Sequence, residues 1–492
     1  MECYGREEIR IPLSSKDINV KTLKEYLPYV MQKHEKNASE YRYLKGIYKG
    51  QQDILHKKRK YKDDEAVNYK EVENHAFSMV EFKKGFVFGN GVKYSSTGTI
   101  STDDISLINK YMKSQRKSSK DIHLAEDIYI AGAANRMVLP KKVVTKENIQ
   151  KEAPFNIYNL EYERSCIVYS SDYTNEKLFG MLITNLELEP HRKQKLTIYT
   201  KDAFYEFIYV VAPELSTPKK GEVKITCKRH RPISLDMIPF VEYRLNKSRI
   251  GIVEITKSIL DGVNVLSSNV LDNVVDYVNS ILVTYNMDVR EGDAQLIKEE
   301  GVLPLKTNDP SRPADAKYLN NPLDFQGIIA EREARTTVAY DIVGVPLASG
   351  SFTSGGDTGQ ARLLGGGWSR AEVVANQDIL SLADGERDML ELCLTICNKH
   401  PECKVNQVDV NDIEITFTFN KSDNLLVKTQ SLQTLYGMNF PKETALKIVN
   451  VTSDTHEVAQ LWESDDKTAK ETEKKDKIVA SQQSNTVTST QE

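Results

Sequence analysis

The sequence predicts an α+β protein: a large mixed base, a pair of helices that leave it, and a long helix beyond. Helical apolar repeats fill most of the first 135 residues. Short runs rich in Val, Ile, Tyr and Phe, separated by turn residues, fill about 150 to 245. A clean helical repeat then occupies 252–281.

The elements follow in chain order. "DINVKTLKEYLPYVMQKHEKNASEYRYLKGIYKG" opens at Asp17 and closes at Gly50 as helix. Val72, Ala76, Met79, Val80 and Phe82 recur at helical spacing; Gly85 is expected to end that helix, leaving "FVFGNGVKY" as strand and turn. Residues 104 to 135 read as helix. "SCIVYSS", "LFGMLIT", "QKLTIYT", "FYEFIYVVA" and "GEVKITCK" read as strands of an antiparallel sheet.

In 252–281, Ile255, Ile259, Val263, Leu266, Val270, Val274, Val278 and Ile281 recur every three or four residues, and Glu254, Asp261, Asp272 and Asp276 share the opposite face. Such a helix is about 40 Å long. "ILVTYNMDVREGDAQLIKEEGVLPLK" reads as two strands around a short helix, a small lobe, and "DPSRPADAK" as a loop. Pro322 suits the start of a second helix, "LDFQGIIAEREARTTVAYDIVG". "GVPLASGSFTSGGDTGQARLLGGGW", 344 to 368, is glycine-dense and nearly uncharged. A long helical pattern overlaps its end, with a kink expected at Gly365, Gly366 and Gly367, because each glycine costs roughly 1 kcal/mol relative to alanine. "VDVNDIEITFTFN" alternates as a strand, 422 to 463 read as two or three short helices, and the polar tail reads as disordered.

Composition narrows the function. With 40% hydrophobic and 28% charged residues among 492, a sizeable core can be buried. No apolar run approaches the ~20 residues that span a bilayer, and the first residues lack the apolar stretch of a secretory signal. The expectation is therefore no membrane partner and a reducing compartment. The 66 basic and 70 acidic residues give a net charge of −4, without the basic surplus of a tight DNA binder. Short runs such as Lys57-Lys58-Arg59-Lys60 and Lys228-Arg229-His230-Arg231 read as solvated faces. Cys3, Cys166 and Cys227 read as ordinary thiols. Cys393, Cys397 and Cys403, with His400 near, have a spacing a metal could use, but no CxxC and no second ligand pair accompany them. Buried thiols and no metal are expected.

The glycine-dense stretch lacks the lysine of a phosphate-binding loop, and Asp357 would repel phosphate. It does not space as GxGxxG between strand and helix. HExxH and GxSxG are absent, and the acidic pairs in "DDEA" and "TDDIS" read as helix N-terminal decoration. The expectation is a non-enzyme without a cofactor.

The order of elements carries a resemblance. "YKGQQDILHKK" (48–58), "NHAFSMVEFKKGFVFGNGV" (74–92), "IPFVEYRLN" (238–246), "SILDGVNVLSSNVLDNVVDYVNSILVTYNM" (258–287) and "VGVPLASGSFTSGGDTGQARLLGGGWSRAE" (343–372) together resemble, in order and spacing, the portal proteins of tailed bacteriophages, of the type in long-tailed phages of Gram-positive bacteria. One departure is the run Gly365 to Gly367, where that family has one or two glycines at most.

The resemblance implies a portal fold: a wing at 1–251, a first stem helix at 252–281, a small α/β clip at 282–321, a second stem helix at 322–344, a tunnel loop at 345–357, a long kinked helix at 358–404, a strand and helical crown at 405–463, and a disordered tail at 464–492. It implies a ring, usually of twelve copies, at one capsid vertex of the virion, assembled in the host bacterial cytoplasm. Such a ring passes double-stranded DNA without sequence specificity, docks the terminase motor and a head-completion adaptor, and meets the major capsid and scaffolding proteins. On that reading Leu347, Ser349, Gly350, Ser351, Phe352, Thr353, Ser354, Gly355 and Gly356 face DNA. Glu254, Asp261, Asp272 and Asp276 line the channel if their stripe faces inward; a solvated outer face is the alternative. The clip is too small for its own core, so Tyr285 and Ile297 are expected to pack on neighbouring copies. A phage head or tail ring with no DNA-conducting role, and a nuclease or packaging ATPase, are the competing readings.

Overall fold

The structure is a computed structural model. It describes residues 5–58, 68–97, 101–141, 152–186, 193–211, 223–278, 281–286, 309, 311–313, 315–319, 325–347, 367–403, 405, 408–420, 425–449, 458–459, 461–462 and 464. In chain order come strand β1 (Ile9–Ile11), helices α1 (Val20–Tyr48) and α2 (His75–Phe88), and strand β2 (Val92–Ser96). Helices α3 (Thr102–Ser114) and α4 (Lys117–Ala131) follow. Then come strands β3 (Ala133–Pro140), β4 (Phe155–Leu160), β5 (Ser165–Ser170), β6 (Lys177–Asn185), β7 (Lys193–Tyr199), β8 (Ala203–Val211), β9 (Val223–Pro232) and β10 (Phe240–Arg244). After these stand α5 (Ile252–Val278), β11 (Ile281–Tyr285), β12 (Asp315–Leu319), α6 (Phe325–Ile342), α7 (Trp368–Lys399), β13 (Ile413–Phe417), α8 (Leu425–Gly437) and α9 (Lys442–Val449).

Helix α1 begins where Asn19 accepts hydrogen bonds from the backbone N–H groups of Lys21 and Thr22, satisfying donors that a first turn leaves open. Its Leu23, Leu27, Val30 and Met31 are buried at helical spacing against a six-stranded sheet. That sheet runs β1-β5-β6-β7-β8-β9. β1 joins β5 in parallel, with Ile9 opposite Val168, and the other neighbours are antiparallel. A second antiparallel sheet, β10-β3-β4, lies against it through Met137, Ile167, Tyr169 and Phe240. The contact is tight at one point. A Cβ on Gly180 of β6 would sit 2.2 Å from the Phe240 ring, so only glycine lets the sheets close there.

The main core joins α2, α3, α4, β3 and β10 to the first turns of α5, the end of α6 and one face of α7. α5 and α6 pack on each other. β13 pairs antiparallel with β2, Ile413 opposite Ser96, which returns the chain after α7 to the base.

The structure corrects several expectations. α2 runs through Gly85 to Phe88; the Cβ position of Gly85 is open space, and Phe86, Val87 and Phe88 are all needed inside. The strand therefore starts only at Val92. The helix expected over 104–135 is two helices divided at Arg116, whose φ of 51° is left-handed, and its end is strand β3. β3 is buried on both faces from Ala133 to Val138, so it lacks the alternation that marks a half-buried strand. The first paired helix stops at Val278, and Ile281 opens β11. The end of the loop expected at "DPSRPADAK" is β12, paired with β11. α7 begins at Trp368, directly after a left-handed Gly367 with φ 80°; Gly365 and Gly366 lie outside the described residues.

Candidate functional site

The root of α5 is a crossing of two turns. A Cβ on Gly132, between α4 and β3, would lie 2.3 Å from the Arg249 carbonyl carbon. One on Gly251 would lie 2.1 Å from the Ile130 oxygen. Arg6 spans this crossing. Its guanidinium lies 2.5 Å from Glu254 and 3.2 Å from Glu40, and it donates to the Ala131 carbonyl at 3.2 Å. The Gly5 N–H donates to Glu254 at 2.7 Å. Burial pushes the Glu40 carboxyl up. Beside it, Arg249 donates to Glu242 at 2.7 Å and to Glu8 at 2.8 Å. Burial opposes the charge on Glu8, but the bonds from Arg249 and Arg10 outweigh it and carry the carboxyl down to about 2.

Further along, residues 68–74 run antiparallel to α5 without forming a sheet. The N–H groups of Tyr69, Glu71 and Glu73 donate to Asp272 (2.8 Å), Ser268 (3.0 Å) and Asn264 (2.9 Å). The match is geometric. Alternate residues of an extended chain lie about 6.7 Å apart, and every fourth residue of a helix about 6 Å apart. Glu73 then accepts from Ser267 and meets Arg332 of α6 at 3.4 Å and His75 of α2 at 3.0 Å. Burial opposes its charge, but the bonds from Ser267 and His75 hold the carboxyl below its usual range. The other His75 nitrogen lies 3.1 Å from the Tyr340 hydroxyl of α6.

The acidic face of α5 is therefore occupied in part from within the chain. Glu254, its side chain 7% exposed, is spent on Arg6 and Gly5. Asp261 pairs with Lys257 at 2.5 Å and keeps a third of its side chain exposed. Asp272 is half-buried and holds Tyr69. Asp276 is in the helix, its side chain outside the described residues. Of the glycine-dense stretch, Leu347 is described and packs against the main core. Ser349, Gly350, Ser351, Phe352, Thr353, Ser354, Gly355 and Gly356 lie outside the described residues, as does Ile297. Tyr285 is 57% exposed on β11.

A buried polar cluster fixes α7. Glu386 accepts from the Tyr94 hydroxyl and from Tyr243 at 2.9 Å, and pairs with Lys117 at 2.7 Å. Lys117 also meets Asp121 at 2.6 Å, and Asp121 meets Arg136 at 2.8 Å. All four charged side chains are at most 3% exposed, and two cations balance two anions. The sequence carried one usable signal for this cluster: Glu386 falls on the apolar stripe of α7 among Leu382, Met389 and Cys393. Arg6 and Glu73 carry no such signal, since Glu254, Ser267 and Arg332, which they meet, lie far off in sequence.

Cys393, Cys397 and Cys403 are buried, and among the described residues no group of three His, Cys, Asp or Glu could hold a metal. Burial pushes the Cys393 thiol up. Cys403 is drawn down to about 6 by its neighbour Cys397. No helix among the described residues is long and apolar enough to cross a membrane.

The family model described as "Phage portal protein, SPP1 Gp6-like" matches residues 28–346. The chain belongs to this family of phage portal proteins. The match runs from α1 through the base and both paired helices to the edge of the glycine-dense stretch. The whole ladder from Tyr69 to Asp272 lies inside the matched part, as do Gly132, Arg249 and Gly251 of the root crossing, while Gly5, Arg6 and Glu8 precede it. No curated protein matches the chain.

Proposed function

We propose that this portal protein forms a ring at one capsid vertex of the virion, with α5 and α6 as the stem around an axial channel for double-stranded DNA. The observation that carries the reading is the family match, which covers the helix pair and stops where the neutral glycine-rich stretch begins. Ser349, Gly350, Ser351, Phe352, Thr353, Ser354, Gly355 and Gly356 form the constriction, and Leu347, packed on the main core, anchors its first end. Glycine and serine keep such a segment pliable, and its low charge keeps phosphates from sticking, because each neutralised phosphate adds affinity.

Asp261 and Asp272, with Asp276, give the stem its acidic character, while Glu254 serves its root. A mildly acidic wall lets a polyanion slide. Residues 1–251 form the wing, 282–321 the clip, 358–404 the long helix back to the wing and 405–463 the crown. The clip docks the terminase motor and then the head-completion adaptor, and the outer surface meets capsid and scaffolding proteins in the host cytoplasm.

Mass measurement after size-exclusion chromatography, with negative-stain images, tests the ring. A large ring with a central hole supports the reading, and a monomer or filament ends it. Deleting 350–356 tests the constriction: a shortened or leaking packaged genome is expected, and full, stable heads would count against this segment as the constriction.

A further inference from the structure

The two halves of α5 are attached to the base in different ways. Ile252, Val253 and Leu260 are almost wholly buried in the main core, and Val263 is fully buried. From Asn264 onward the buried side chains under residues 68–74 are polar: Asn264, Ser267 and Ser268, with Gln52 behind them. Val265, Leu266 and Val270 are only partly buried, and Leu271 and Val274 are 36% and 44% exposed. Among the described residues of α5, full burial of apolar side chains thus ends at Val263.

Beyond that point the joint is a row of directional bonds. Tyr69, Glu71 and Glu73 each give one N–H to the helix. Asn264 also donates to Gln52, and Gln52 to Asn74 at 3.3 Å. Glu73 closes the row by bonding α5, α6 and α2 together. Separating apolar surfaces exposes area that water disfavours. Separating these bonds exchanges them for bonds to water at small net cost.

We infer that residues 68–74 are a releasable strap. The strap holds the far part of α5, together with α6, against the base. It unfastens from Tyr69 toward Glu73, while the stretch from Ile252 to Val263 stays seated. Glu73 is the positioning residue of the fastening, and Asn264, Ser268 and Asp272 are its rungs. This is a property of the single chain and does not depend on the ring or on what passes through it.

Hydrogen exchange read by mass spectrometry on the full chain tests the inference. In the parent, peptides covering 69–73 and 264–278 are expected to share one level of protection, below that of 252–263. Ser268→Ala and, separately, Glu73→Gln should raise exchange in both regions together by roughly fivefold or more, the loss of about one hydrogen bond, leaving 252–263 unchanged. Glu73→Gln keeps the side chain's shape, so it remains informative if the serine variant misfolds. Faster exchange confined to 69–73 overturns the inference, because the segment would then hold nothing. Faster exchange across all of 252–278 overturns it too, because α5 would then have no separable part. No change in either variant does the same.

Discussion

The Arg6 guanidinium lies 2.5 Å from the Glu254 carboxylate, at a sequence separation of 248. It is a side-chain tie between the N-terminal segment and the first turn of α5. Arg6→Ala would leave Glu254 and Glu40 buried without their shared cation. The expected loss is about 3–5 kcal/mol, the usual result of removing one partner of a buried pair. Urea denaturation should show a lower midpoint, and adding Glu254→Gln should recover part of it.

At the sheet contact, Gly180→Ala forces a carbon into the Phe240 ring. Overpacking of this kind costs about 1–3 kcal/mol. Combined with Phe240→Ala, the penalty should be smaller than the sum of the single changes, and a double-mutant cycle measures the difference.

Glu386→Ala strips Lys117 of one of its two partners and leaves two tyrosine hydroxyls facing a void. We expect a loss of about 3–5 kcal/mol. Tyr94→Phe removes a single bond to a charged group and should cost about 1.5–3 kcal/mol. Thermal unfolding ranks the two, and an equal effect would contradict the cluster's role in seating α7.

Acid should loosen the N-terminal clasp. The Glu8 carboxyl sits at about 2 in the folded chain against 4.5 ordinarily, so the unfolded chain takes up the proton first as pH falls. Its contribution is fully present above about pH 4.5 and disappears as pH approaches 2. Glu7, drawn to about 2 by the bonds from Lys33 and Lys36, acts in the same direction. Glu8→Gln should be less stable than the parent at pH 7 and show a flatter decline of stability below pH 5.

Much of the fold was legible because it rests on local periodicity. The amphipathic repeat of α5 and the alternation of β13 follow from side-chain spacing, and the five runs rich in Val, Ile, Tyr and Phe that became β5 to β9 from composition between turn residues. β3 was not legible, because a strand covered on both faces shows no alternation, and Arg136 inside it looks like a surface residue until Asp121 is seen beside it. The end of α2 was misplaced for another reason: Gly85 is a stop signal by propensity, yet burial of Phe86 to Phe88 overrode it.

The candidate site was harder to read. The acidic stripe of α5 was visible, but that Glu254 would serve the root and Asp272 the strap was not. A polar helix face does not tell whether water or the chain's own backbone will meet it.

The charge cluster around Glu386 is neutral as a whole and closed to solvent. Dissolved ions screen exposed charges far more than buried ones. The grip of the long helix on the base therefore does not slacken as ionic strength climbs. Lys177–Asp388, whose side chains are 33% and 45% exposed, would fade under the same conditions. A particle moved from a dilute medium to concentrated brine would keep this joint intact while its surface charge contacts weaken.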